Sequence, residues 1–269
     1  MDRYLFAFDM DGTLLNKKKN ISLKTKQLLK KLQKQGHVVA LASGRPSRSL
    51  FRYYNELNLN SPMICYNGAY LFSPKDPMFP KHEFQFPKDV VLSLYNDIKP
   101  YVCGIMCETD TEIWVDKIDS YLDKFFWYKG MNVHEGEFEK SLNKNPMTMI
   151  CKTINGKDKD KILEASYKYP EIEIRFWTGS DYFELYFKKT SKGACVTDIA
   201  NYYGIDKNHI VVFGDAENDV EMLEVAGYSI AMSNSKDFVK EHAKYISLKD
   251  NNHNGIYYTV KALLKGKLL

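Results

Sequence analysis

The sequence predicts an α/β fold in which a parallel-sheet core is interrupted by an α+β insertion. Three observations predict it. Short apolar runs of buried-strand length alternate with amphipathic helical segments at the start of the chain and again near its end. Acidic or small polar residues follow directly on several of these runs, where an open parallel sheet presents its ligand-binding edge. Between the two alternating blocks, neighbouring strands are joined by short turns, as in an antiparallel sheet.

Residues 4–8 are the first apolar run, and they deliver Asp9 and Asp11 into a Gly12-Thr13 turn. Alternate residues of an extended segment point the same way, so both carboxylates face one pocket. Like charges held so close need a cation or a shared proton. Ser22 then suits the N-cap of a helix whose Leu28, Leu29 and Leu32 form one face, with Gly36 closing it. A second strand over 37–42 ends in Ser43-Gly44-Arg45-Pro46. A helix carrying Leu50, Tyr54 and Leu57 follows, then a strand over 62–66 and an Asn67-Gly68 turn. Residues 69–72 and 78–79 suggest a small hairpin around a Pro-rich turn.

The pattern changes at Phe86-Pro87. A helix with Val90, Val91, Leu94 and Ile98 leads to strands over 101–108 and 112–115, a helix over 120–128 and a strand at 147–154. A helix over 158–169 and strands over 171–177 and 182–187 complete the insertion. Alternation returns after Thr190. Lys192 opens a helix (Val196, Ile199, Ala200, Tyr203) closed by Gly204. The strand over 209–213 runs into Gly214-Asp215-Ala216-Glu217-Asn218-Asp219 and a helix with Val220, Met222 and Leu223. Strands over 228–232 and 245–248, a helix over 236–242 and a last helix from Gly255 end the chain. The expected division is a core of 1–85 and 188–269 around an inserted domain of 86–187.

A chain of 269 residues suffices for two domains with their own cores. Its 44% hydrophobic and 27% charged content is that of a soluble globular protein. The net charge of +4 is mild and the lysines are scattered, so Lys17-Lys18-Lys19 reads as a solvated loop and no nucleic-acid partner is expected. Five cysteines without framework spacing point to a reducing, cytoplasmic setting. The first strand starts too early to leave room for a signal peptide, and no apolar run has the length of a membrane span.

Four stations thus stand out: Asp9 with Asp11, Ser43, Lys192, and Asp215 with Asn218 and Asp219. Taken singly, each is an ordinary turn, cap or solvated residue. Together and in this order, Asp9-x-Asp11-Gly12-Thr13, Ala42-Ser43-Gly44-Arg45, Ser191-Lys192-Gly193 and Gly214-Asp215-Ala216-Glu217-Asn218-Asp219 resemble the four motifs of the haloacid dehalogenase-like hydrolases. Asn67-Gly68-Ala69, Ala231-Met232-Ser233-Asn234 and Asn254-Gly255 are similar to the Cof-type branch, whose α/β cap lies between the second and third motifs.

The resemblance implies a Rossmann-like core with an inserted cap domain. It also implies a Mg²⁺-dependent phosphatase acting on small phosphorylated metabolites, often sugar phosphates. On that reading Asp9 attacks phosphorus, Asp11 is the acid and base, and Lys192 neutralises developing charge. Ser43, with the backbone amides near Met10, Asp11 and Gly44, takes phosphate oxygens. Asn218 orients the phosphate or Lys192. From their places after strand ends, Arg45 and Asn67 are candidates for substrate or cap contacts, and Asn67 suits a plain turn equally well. The metal set is Asp9, the Asp11 carbonyl and Asp215, with Asp219 supporting it from behind. Segments 143–148 and 175–181 line the substrate pocket. A small-molecule substrate and a monomer or weak dimer are expected.

Two residues depart from the family pattern, because Ala216 and Ser233 stand where glycine is common. Two other functions use the same residues. A phosphotransferase or mutase needs a second phosphate site with clustered cations, and Arg175 is the only arginine of 86–187. A phospho-ligand-binding regulator would have lost a reacting group, and here Asp9, Asp11, Lys192 and Asp215 are all present.

Overall fold

The computed structural model describes residues 2–126, 128–154, 156–177 and 179–266, with Phe125 described by its backbone alone. The chain divides into two compact units, one made of residues 1–82 and 191–269 and the other of 83–190. The second unit interrupts the first.

In the first unit, β1 (Leu5–Asp9), α1 (Leu23–Lys34), β2 (Val38–Ala42), α2 (Ser47–Leu57), β3 (Met63–Cys65) and β4 (Tyr70–Phe72) follow in order, and β5 (His82–Glu83) spans the division between the units. β1 and β2 are buried at every position, as continuous apolar runs covered on both faces must be. Ser22 caps α1 by accepting from the Thr25 amide at 3.2 Å. Gly36, at φ +90°, lets the chain turn off the helix into β2. Leu28, Leu29 and Leu32 are its buried stripe.

The second strand expected at 78–79 lies further along: β5, at His82–Glu83, is the neighbour of β4 in the sheet across the Pro-rich turn. β4 pairs antiparallel with β3, Tyr70 opposite Cys65. Residues 78–79 belong to a turn that consumes their amides: Met78 N donates to Asp76 Oδ1 and Phe79 N to the Asp76 carbonyl. Phe79 joins the core instead.

The inserted unit contains α3 (Lys88–Ile98), β6 (Val102–Glu108), β7 (Glu112–Val115), α4 (Ser120–Phe126), β8 (Asn132–Glu135), α5 (Phe138–Ser141), β9 (Thr148–Thr153), α6 (Lys159–Ser166), β10 (Ile172–Phe176) and β11 (Tyr182–Phe187). Its six-stranded sheet runs β10-β11-β9-β6-β7-β8. Phe86 and Leu94, with Ile162 of α6, pack on Ile105, Cys107, Cys151 and Phe183 in one cluster. Leu122 and Phe126 of α4 cluster with Met106, Ile150 and Tyr182.

Two elements went unforeseen. β8 pairs parallel to β7, so the sheet is not wholly antiparallel. It is an edge strand with no fully buried residue, so it lacks the apolar alternation that marks a half-buried strand. α5 is a single turn, too short to show a period. Trp127 and Thr178, inside the expected helix at 120–128 and the expected pocket segment at 175–181, lie outside the described residues.

The first unit resumes with α7 (Lys192–Tyr202), β12 (Ile210–Gly214), α8 (Val220–Val225), β13 (Tyr228–Ala231), α9 (Asp237–Glu241), β14 (Tyr245–Ile246) and α10 (Gly255–Leu263). The sheet order is β14-β13-β12-β1-β2-β3-β4-β5, and every pair from β14 to β3 is parallel. From β1 the chain crosses to β2 on one side, while β12 lies on the other. β1 therefore ends at a topological switch point, where such sheets open a crevice. Phe8 lies opposite Phe213 and Asp9 opposite Ala42, so Asp9, Ser43 and Asp215 leave the sheet at one edge. Gly193 lets α7 close on α8, since a Cβ there would stand 2.6 Å from the Glu221 carbonyl oxygen.

Candidate active site

At that edge one ammonium and three carboxylates meet. Lys192 opens α7, fully buried, and its Nζ donates to Asp9 Oδ1 at 2.6 Å and to Asp219 Oδ1 at 2.7 Å. Oxygens of Asp9, Asp215 and Asp219 lie within 4.8 Å of one another. Three carboxylates against one ammonium leave two negative charges uncompensated, with Asp9 and Asp219 buried from water and Asp215 partly so.

The proton affinities register this excess. Burial, then the charge of Asp219, pushes the Asp9 carboxyl well above its ordinary value despite the opposing pull of Lys192. The same two causes push Asp215 up to about 7. Burial works to lower the Lys192 pKa, but the charges of Asp219 and Asp9 outweigh it and raise it, so the ammonium holds its proton.

Asp219 is occupied by this framework. Its Oδ2 accepts from the Asp215 amide at 2.9 Å and the Ala216 amide at 3.1 Å. It fixes the loop that carries Asp215 and the ammonium that meets Asp9. Thr13 fixes Asp215 from the other side, donating from Oγ1 to Oδ1 at 2.6 Å. The turn that aims Thr13 needs Gly12, at φ +84°, where a Cβ would stand 2.2 Å from Asp215 Oδ2. Ala216 adopts φ −123° and ψ 172°, extended backbone open to any residue, so it needs no glycine.

Asp11 lies apart from the acidic cluster. Arg45 grips it with two bonds, Nε to Oδ2 at 2.5 Å and Nη2 to Oδ1 at 2.8 Å, and Lys19 Nζ meets Oδ1 at 2.5 Å. Burial works to raise its pKa, but Arg45 and then Lys19 outweigh burial and hold the carboxyl below its ordinary value. Ser43 is buried, and its Oγ accepts from the Arg45 amide at 3.2 Å. Asn67, at φ 55°, donates its amide to the Ser43 carbonyl, and its Oδ1 accepts from Asn218 Nδ2 at 2.8 Å. Gly44 lies under Asn67, whose side-chain amide would stand 3.0 Å from a Cβ there. Met10 is buried, and its carbonyl accepts from the Leu15 amide.

The residues singled out from sequence are thus brought together in two linked groups, the acid–ammonium cluster and the Ser43–Arg45–Asn67–Asn218 rim. Sequence reasoning took Lys19 for a solvated loop residue, and nothing in the lysine run marks the one whose ammonium turns inward. It gave Asn234 no task, yet Asn234 Nδ2 donates to the Gly12 carbonyl at 2.9 Å and braces the first turn.

The donor set fits a divalent cation. Its oxygens are hard, its net charge matches two positive charges, and Asp9 and Asp215 resist ionising without one. Among the described residues, no helix is long and apolar enough to cross a membrane.

Known proteins match the chain along most of its length. The sequence model of the haloacid dehalogenase-like hydrolases matches residues 6–260. The 5-amino-6-(5-phospho-D-ribitylamino)uracil phosphatase YitU of Bacillus subtilis is 32% identical over 246 residues, covering 89% of this chain and 90% of its own. A second phosphatase of that name from the same organism, YwtE, is 26% identical and covers 97% of this chain and 98% of its own. Among solved structures, a haloacid dehalogenase-like hydrolase from Bacteroides thetaiotaomicron superposes with a TM-score of 0.81 at 26% identity, covering 97% of this chain and all of its own (100%). The chain belongs to the haloacid dehalogenase-like hydrolases, in their Cof-type branch, and is a phosphoric monoester hydrolase.

Proposed function

We propose that the enzyme is Mg²⁺-dependent, hydrolyses small phosphorylated metabolites such as sugar phosphates, and works through an aspartyl-phosphate on Asp9. The observation that carries this reading is the buried Lys192 ammonium shared by Asp9 and Asp219, with Asp215 beside them and two negative charges left over. Asp9, Asp215 and the Asp11 carbonyl would hold the ion, with Asp219 behind them. Bound there, it would supply positive charge against the phosphoryl oxygens.

This chain's own groups then do the following. Lys192 neutralises the transferring phosphoryl and keeps Asp9 aimed. Asp9 Oδ forms a bond to phosphorus as the bond to the leaving oxygen breaks, and that oxygen takes a proton from Asp11. Water next attacks the aspartyl-phosphate and gives its proton to Asp11, releasing inorganic phosphate and the Asp9 carboxylate. The two cations on Asp11 keep it ionised at rest. Arrival of a phosphate dianion offsets their charge, so Asp11 can regain a proton without leaving its place. Ser43, Met10, Gly44, Asn67 and Asn218 frame the phosphate.

The phosphoribitylamino-uracil ester that names the Bacillus subtilis relatives is the first substrate to try, beside hexose and pentose phosphates. Four of the five cysteines are buried, and no disulfide joins them among the described residues, which suits a reducing cytoplasm. The test is phosphate release from this panel with Mg²⁺, with chelator, and with Asp9→Asn. Turnover that needs both Mg²⁺ and Asp9 supports the reading. Folded, Mg²⁺-binding protein that turns over no ester overturns it.

A further inference from the structure

The Asn16–Asn20 loop is built to place one charge. Asn16 N donates to the Asn20 carbonyl, and its Oδ1 accepts from the amides of Lys18 and Asn20. The Lys19 amide donates to the Asn16 carbonyl, while the Lys19 carbonyl accepts from the buried Tyr53 hydroxyl of α2 at 2.9 Å. Arg52 Nη2 holds Asn20 Oδ1 at 3.1 Å, and Asn252 Oδ1 holds the Lys17 amide at 2.8 Å.

Within this tied loop Lys19 adopts φ +56°, a conformation that disfavours a side chain bearing Cβ. A solvated turn of a lysine run has no reason to keep a lysine there. Its ammonium closes on Asp11 Oδ1, on which Arg45 Nη2 also rests.

We propose that Lys19 is a positioning residue for Asp11, fixing the acid–base carboxylate for leaving groups that must be given a proton. The inference rests on the phosphatase reading above. Asp11 is 37% exposed at its side chain, so packing alone does not fix its rotamer. Arg45 sets the carboxylate plane from one side, and Lys19 supplies the contact from a separate, independently anchored loop. A proton donor works only within hydrogen-bond reach of the departing oxygen, so a carboxylate that wanders loses rate on esters with poor leaving groups. It loses little on aryl esters, whose leaving oxygen departs as a stable anion.

The test compares kcat/KM for a sugar phosphate and for 4-nitrophenyl phosphate in wild type, Lys19→Met, Lys19→Arg and Tyr53→Phe, with Tm as the folding check. kcat/KM reports the steps up to departure of the leaving group. Lys19→Met should lose roughly tenfold on the sugar phosphate and at most about twofold on the aryl ester, with Lys19→Arg restoring most of the loss. Tyr53→Phe, which frees the loop while keeping the lysine, should show the same selectivity more mildly. In an Asp11→Asn background Lys19→Met should change neither ester. An equal fall on both esters, no change on either, or a gain on the sugar phosphate overturns the inference. Wild type inactive on both esters overturns the phosphatase reading and this inference with it.

Discussion

Lys192 and Asp219 form a fully buried ion pair at 2.7 Å, and the same ammonium serves Asp9. Removing the lysine leaves buried carboxylates without their counter-charge. Lys192→Met should therefore destabilise the protein by about 3–5 kcal/mol and abolish turnover. Urea unfolding at fixed Mg²⁺, beside phosphate release, checks this. Asp219→Ala should keep more stability but lower kcat by about two orders of magnitude, because both Lys192 and the Asp215 loop lose their anchor.

Two glycines of the site differ in what they touch. Gly12→Ala drives a Cβ into Asp215 and strains a left-handed backbone, so the Mg²⁺ concentration for half-maximal rate should rise by about tenfold or more. Gly44→Ala presses only on the Asn67 amide and should raise KM with little change in Mg²⁺ dependence. Mg²⁺ titrations of the two variants separate the roles, and equal responses would contradict the geometry.

Ala216 is already extended, so Ala216→Gly relieves nothing. It should leave kcat within about twofold and lower stability by about 0.5–1 kcal/mol through the freer unfolded chain. Thermal melts and steady-state rates decide it.

In the inserted unit Asp97 accepts from Lys168 Nζ at 3.1 Å and from the Tyr169 hydroxyl at 3.0 Å. The Lys168 bond, then the Tyr169 bond, lowers the Asp97 pKa, so its contribution is present above the ordinary carboxylate range and fades as pH falls through the folded value. Burial, then Asp97, pushes Tyr169 up to about 12, so its contribution is whole below about 10 and fades as pH rises through 12. Asp97→Asn should flatten the acid limb of a Tm–pH profile and Tyr169→Phe the alkaline limb, each by on the order of 1 °C.

Much of this site is legible from sequence because its reacting groups sit where strands end. Asp9, Ser43 and Asp215 each follow an apolar run, and a parallel sheet sends such residues to one edge. Lys192 is legible only in company, since a lysine at a helix start is ordinary until two carboxylates are known to need it. The pairing of Asp11 with Lys19 joins two loop residues whose meeting depends on a turn geometry that no periodicity encodes. β8 escaped for a related reason, because its Val133 is the only apolar side chain of an exposed edge strand. The turn at 78–79 was missed because bonds to the Asp76 side chain and carbonyl, which carry no hydrophobic pattern, decide it.

Thr13 and Asp215 are 202 residues apart in sequence, and Lys192 and Asp9 are 183 apart. During synthesis β1 therefore waits for β12 while the whole inserted unit is made and becomes free to fold. Until then Asp9 has neither its ammonium nor its neighbouring carboxylates. A nascent chain on the ribosome thus carries Asp9 without the partners that the proposed attack on phosphorus needs, and these come only with α7 and the Asp215 loop, both made after the inserted unit.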